Sequence, residues 1–152
     1  MKREGRNATY GRASICPTDE AVAGSYGTWA LTYTVGMYGI DDAGHVKVAW
    51  RSSSDWGRPQ FDRPEAPDYT TVSTSGNAQL EVRFDPSDYI RPWKACLDIN
   101  VYDGFLAEGD TVTIVYGDRT GGGPGSRAQS FVEDTFEFRV LVDPFGTGQY
   151  VV

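Results

Sequence analysis

The 152 residues suit one domain, and 39% hydrophobic with 23% charged residues sets the chain apart from a disordered one. A net charge of -7 and a pI near 4.6 exclude phosphate backbones and anionic membranes as natural partners, so neither nucleic acid nor membrane binding is expected. Aromatic residues at 13%, with 18 Gly and 8 Pro, favour strands and turns over helices.

The opening Met1-Lys2-Arg3-Glu4-Gly5-Arg6 is basic but leads into no apolar stretch. No secretory leader or spanning segment is expected, and cytoplasmic is the default location. In that setting the sequon Asn7-Ala8-Thr9 reads as chance.

The clearest strand covers 27–35, where Trp29, Leu31, Tyr33 and Val35 alternate with small and hydroxylated residues. A breaker segment with Asp41-Asp42 follows. The next strand, 45–51, turns Val46, Val48 and Trp50 inward. Residues 52–68 hold Trp56, Gly57, Pro59, Phe61, Pro64 and Pro67 with no period, an unusually long loop for a compact domain and the kind that carries function. Strands are predicted at 69–73, 79–84 and 95–102, the last with Leu97, Ile99 and Val101 inward and Asp98 and Asn100 outward. Strands at 111–116, 129–132 and 136–142 complete about eight, with a glycine-rich segment over 117–126. No window of helical length keeps a 3.6-residue period. The fold class is therefore all-β, a two-sheet antiparallel β-sandwich of immunoglobulin-like or jelly-roll-like form.

Chemistry is sparse. His45, the only histidine, has no serine nucleophile motif near it, which argues against a triad. Cys16 and Cys96 lack metal-ligand spacing; Cys96 reads as a buried thiol, and a single bridge between the two stays open. Asp41-Asp42 and Glu133-Asp134 lack EF-hand spacing and read as solvated turns. No catalytic residue, metal or cofactor is assigned.

Candidate binding residues come from two loops. Asp55, Trp56, Arg58, Phe61 and Asp62 form an aromatic and carboxylate set that would suit stacking against a sugar or a protein. Asp55 and Asp62 are also the conceivable acid and base of a glycoside hydrolase, which needs carboxyls roughly 5–9.5 Å apart. Asp118, Arg119 and Arg127 bound a segment that resembles a phosphate cradle but lacks the Lys-Ser/Thr ending and a following helix. Trp56 lies outside any strand, which favours an exposed ring, although loop aromatics more often tuck over a core edge.

Several phrases occur together: Gly24-Ser25-Tyr26-Gly27-Thr28-Trp29, Tyr38-Gly39-Ile40-Asp41-Asp42, Val46-Lys47-Val48-Ala49-Trp50-Arg51 and Ser54-Asp55-Trp56-Gly57-Arg58-Pro59-Gln60-Phe61. Tyr89-Ile90-Arg91-Pro92-Trp93 and Glu133-Asp134-Thr135-Phe136-Glu137-Phe138-Arg139 follow later. Together they resemble the N-terminal region of an uncharacterised bacterial family whose full-length members are similar to metal-dependent hydrolases of the polymerase-and-histidinol-phosphatase type. The resemblance implies a non-catalytic accessory or scaffold domain, because the family's ligand histidines, in motifs of the Asp-Leu-His kind, lie beyond the matched region. It leaves two alternatives, a piece of a longer protein or a stand-alone relative, with following domains or a second copy as the partners. A carbohydrate-binding module using the loop aromatics is the alternative, and a carboxylate-based glycoside hydrolase the third reading.

Overall fold

A computed structural model describes residues 3–152. The described residues form ten strands: β1 (Gly11–Cys16), β2 (Tyr26–Gly27), β3 (Trp29–Val35), β4 (His45–Trp50), β5 (Thr70–Thr74), β6 (Gln79–Asp85), β7 (Ala95–Tyr102), β8 (Thr111–Tyr116), β9 (Ser126–Arg127) and β10 (Arg139–Asp143). Eight of them build two four-stranded antiparallel sheets, ordered β1-β3-β8-β5 and β10-β4-β7-β6. The short pair β2-β9 makes a two-stranded patch. The chain is an all-β sandwich.

Alternation explains the core. In β3 the odd positions Trp29, Leu31, Tyr33 and Val35 are buried and the even ones half-buried, and β8 repeats the pattern with Val112, Ile114 and Tyr116. From the other sheet come Val46, Val48 and Trp50 of β4 and Leu97, Ile99 and Val101 of β7, each at most 2% exposed. The half-buried faces of β6 are Leu80, Val82 and Phe84.

Four differences from the sequence reading have physical causes. The strand expected at 129–132 is an irregular crossing, and β10 begins at Arg139, not Phe136. β1 was not anticipated, because it is an edge strand with an exposed pattern and pairs on one side only. An eight-residue helix, α1 (Arg3–Tyr10), precedes it; its sequence has no apolar stripe, and it is tied down through backbone groups. The Ala8 and Thr9 carbonyls accept from the Met37 and Tyr38 amides, and the Tyr10 carbonyl accepts from the Tyr33 hydroxyl.

The fourth difference is Asp98, expected outward and found 2% exposed. The outer face of the β10-β4-β7-β6 sheet carries its own small core of Ala49, Trp93, Cys96 and Leu141, with Tyr89 and Tyr150 packed against it. Under that cover Asp98 accepts from His45 Nδ1 at 2.8 Å and Arg83 Nε at 3.2 Å. Beside it Lys47 Nζ meets Asp88 at 2.7 Å and the Tyr150 ring at 4.5 Å. Burial opposes the Lys47 charge, but the Asp88 hydrogen bond with Tyr150, Asp88 and Asp98 outweighs it and raises the pKa. Cys96 is a free, buried thiol pushed up to about 12 mainly by burial, and Cys16 is free and exposed, so the open bridge is not made.

The long connections 17–25, 51–69, 86–94 and 117–138 gather at one end of the sandwich. Residues 52–68 are irregular as expected, and they are fastened through backbone hydrogen bonds. Gly57 N donates to Arg127 O, Gln60 N to Asp68 O, and Asp68 N to Gly125 O. A Cβ on Gly57 would lie 1.9 Å from Asp68 Oδ1, so any side chain there would have to displace the Asp68 carboxylate.

Candidate functional site

At the loop-bearing end, aromatic rings from both sheets meet. Trp56 lies 4.8 Å from Trp29 of β3 and 4.7 Å from Phe136, and Phe138 stands edge-on to it at 5.6 Å. Trp50 of β4 stacks on Phe84 at 5.5 Å and meets Tyr116 and Phe138 at 6.2 and 5.9 Å. Offset and edge-to-face rings add attraction beyond their buried area. Two polar atoms in this cluster, Trp56 Nε1 and Tyr116 Oη, are buried with no hydrogen-bond partner. Such a group ordinarily costs about 1–3 kcal/mol. Burial, with a smaller push from Cys96, raises the Tyr116 hydroxyl far above its usual range, so it stays protonated.

Part of this cluster is open on one flank. The edge strands β1 and β10 of the two sheets border a groove of about 910 Å³. Ile15, Trp29, Leu31, Trp56, Phe136, Phe138 and Val140 form its apolar walls. Its rim comes from 17–23 and from the crossing segment 128–138, which sets Phe131, 41% exposed, and Val132, 88% exposed, at the mouth. The rim also carries Asp19, Glu20, Glu133, Asp134 and Glu137, while the lining contains no lysine, arginine or histidine.

A smaller cleft of about 330 Å³ lies on the other side of the same crossing segment. It shares Gln129, Glu133, Thr135, Phe136 and Glu137 with the groove and adds Arg51, Trp93 and Arg139. Arg51 approaches Glu133 at 3.8 Å, Arg139 approaches Glu137 at 3.2 Å, and the Arg139 guanidinium lies 4.1 Å over the Trp93 ring. The cations therefore sit behind the segment and the groove side keeps the negative charge.

Of the residues predicted from sequence, Trp56 lines the groove, and it does so tucked in at 6% exposure rather than as an exposed platform. The other seven are not among the groove's lining residues. Asp55 accepts from the Ser130 amide at 2.7 Å and from the Ser130 hydroxyl, with Arg127 Nη2 at 3.4 Å. Those Ser130 bonds hold its carboxyl below the usual range. Arg127 also donates to the Asp55 carbonyl at 2.9 Å. Asp118 accepts from Thr120 and from the Thr71 hydroxyl, which likewise lowers its pKa. Arg119 donates to the Pro124 and Tyr26 carbonyls and so braces the glycine-rich loop. Arg58 is exposed with its guanidinium 6.0 Å from the Phe84 ring, Phe61 packs half-buried against the core, and Asp62 is exposed. The glycine-rich run is used for close approach between segments of the chain. A Cβ on Gly117, whose φ is +74°, would lie 2.2 Å from Ser126 N.

Sequence reasoning missed most of the groove. Trp29, Phe136 and Phe138 carry the alternation of strand core, and Asp19 and Glu20 lie in a stretch with no periodic signal. Glu133-Asp134 reads in the sequence as a solvated turn, and it stands on the rim. Among the described residues no three His, Cys, Asp or Glu side chains converge as metal ligands.

A second exposed aromatic group lies at the other end, where Tyr38 stands 5.4 Å from Tyr10 and 5.5 Å from Phe145. The interplanar angles of 89° and 48° leave the three rings without a shared flat face.

No family model matches the chain, and no curated protein matches it. Among solved structures, it is similar to the CBM3a-L domain with flanking linkers from scaffoldin cipA of the Clostridium thermocellum cellulosome. That match has 11% identity and a TM-score of 0.43, covering 88% of this chain and 85% of the other. A CBM3 of Hungateiclostridium clariflavum matches at 10% identity and a TM-score of 0.36 over 92% of this chain and 95% of its own. AvmM, which catalyses macrocyclization in alchivemycin A biosynthesis, matches at 16% identity and a TM-score of 0.42 over 86% and 71% of the two chains.

Proposed function

We propose that the domain is a carbohydrate-binding module and that the flank groove between β1 and β10 is its binding site. The observation that carries this reading is the combination of an aromatic wall, Trp29, Trp56 and Phe136, with a rim of carboxylates and hydroxyls. A pyranose offers C–H groups on its faces and hydroxyls around its edge. An apolar wall takes the faces, and carboxylates accept from the hydroxyls. The site is moved from the exposed loop expected from sequence to the flank, with Trp56 in common.

The resemblance to the hydrolase family supplies the setting. The sandwich holds a polymer for hydrolytic machinery carried elsewhere in a longer chain, and the reading frame beyond Val152 tests that part. Binding itself is tested by titrating soluble oligosaccharides into the protein while following tryptophan emission, since Trp29 and Trp56 both line the groove. A saturable spectral change is expected, weakened about tenfold or more by Phe136→Ala, as for a buried aromatic anchor. A near-native melting temperature would establish that the variant is folded. No change with any glycan at millimolar concentration would overturn the reading.

A further inference from the structure

We infer that the carbohydrate taken by the groove carries amino groups: a glucosamine-type, cationic glycan in preference to a neutral or uronic one. This inference rests on the carbohydrate reading of the groove and narrows it. Five carboxylates, Asp19, Glu20, Glu133, Asp134 and Glu137, stand around an aromatic-walled groove with no cationic side chain in its lining. Two of the five are partly neutralised from behind, Glu133 by Arg51 at 3.8 Å and Glu137 by Arg139 at 3.2 Å. Asp19, Glu20 and Asp134 have no ion-pair partner among the described residues.

The charges lie on both sides of the mouth, from the β1–β2 connection and from the crossing segment, so the field is directed into the groove from two directions. A neutral sugar would gain only hydrogen bonds from these groups. A uronic sugar would be repelled, and an ammonium at C2 of each residue would be attracted by several carboxylates at once. The apolar wall is a separate selector. It needs a ring face, which a simple polyamine lacks.

The test is calorimetry on the whole chain with four matched probes: a glucosamine oligomer, its N-acetylated form, a cello-oligosaccharide of equal length and a lysine oligopeptide. The glucosamine oligomer is expected to bind about tenfold or more tighter than either neutral glycan, from several exposed charge pairs each worth a fraction of a decade. That preference should collapse in 1 M salt, where the screening length falls to about 3 Å. It should also collapse in the surface variant Asp19→Asn/Glu20→Gln/Asp134→Asn, which should lose several-fold more affinity for the glucosamine oligomer than for either neutral glycan, since the amide oxygens still accept from hydroxyls but carry no charge. Equal affinity for neutral and amino glycans overturns the charge inference and leaves the carbohydrate reading standing. Failure of every glycan overturns both. Tighter binding of the lysine peptide than of the glucosamine oligomer, weakened by Phe136→Ala, assigns the groove to a basic peptide and overturns the proposal.

Discussion

At the scale of single residues, the acidic side chains that attracted attention in the loops are mostly fasteners. Asp55 and Asp68 both hold Arg127, from opposite electrostatic positions. The Asp55 carboxyl is held below its ordinary 3.8 by Ser130, so its contribution is present above pH 3.8 and lost as the pH falls through the depressed value. Asp68 is pushed above 3.8 by burial, against the opposing pull of the Arg127 amide, so its charge costs stability as the pH rises through the raised value. Asp68→Asn keeps the oxygen that accepts from the Arg127 amide at 3.0 Å and removes that charge. The variant should melt higher than the parent at neutral pH, with the gap closing below pH 3.8; melting curves across that range decide it. Asp55→Ala should leave the core intact and speed amide exchange at Ser130, which loses its acceptor. Of the candidate site, Trp56 was legible because a tryptophan beside Gly and Pro in a long aperiodic loop has to be accommodated somewhere. That its ring would be buried against Trp29 and Phe136 was not legible, since partners distant in sequence decide it.

At the scale of elements, strands with a clean two-residue period were readable and those without it were not. β3, β4, β7 and β8 bury one face against the opposite sheet, so their alternation writes the core directly. β1 pairs only with β3 and shows solvent on most positions, and 128–138 crosses between sheets with its aromatic side chains doing the packing. Its Phe136 and Phe138 kept the alternation of a strand without the ladder. The glycine-rich element is a close-packed turn, and this has a direct check. Gly117→Ala forces a positive φ and a Cβ against Ser126 N, and should destabilise by more than about 1 kcal/mol in chemical denaturation. A similar change at Gly122, where a Cβ meets open space, carries only the backbone strain and should cost less.

For the whole molecule, the sandwich class followed from composition and period, while the second, smaller core outside one sheet did not. Asp98 and Asn100 read as solvent-facing because their neighbours Leu97, Ile99 and Val101 point inward. The connections 86–94 and 144–152, which cover that outer face, bear no periodic signature. Truncating Asp98 to Ala should cost about 1–3 kcal/mol in denaturant unfolding, because the half-buried His45 loses its acceptor while the exposed Arg83 returns to water. The sandwich is thus closed by Trp93 and Tyr150 on one outer face and left open at the β1 and β10 flank, where aromatic walls and carboxylates meet. That open flank as the binding site is the central claim, and amide and indole chemical-shift mapping with a soluble glucosamine oligomer tests it most directly. Shifts should concentrate at the Trp29 and Trp56 indoles, at Ile15 and along 131–138; shifts confined to Tyr38 and Phe145 at the opposite end, or none at saturating glycan, would contradict it.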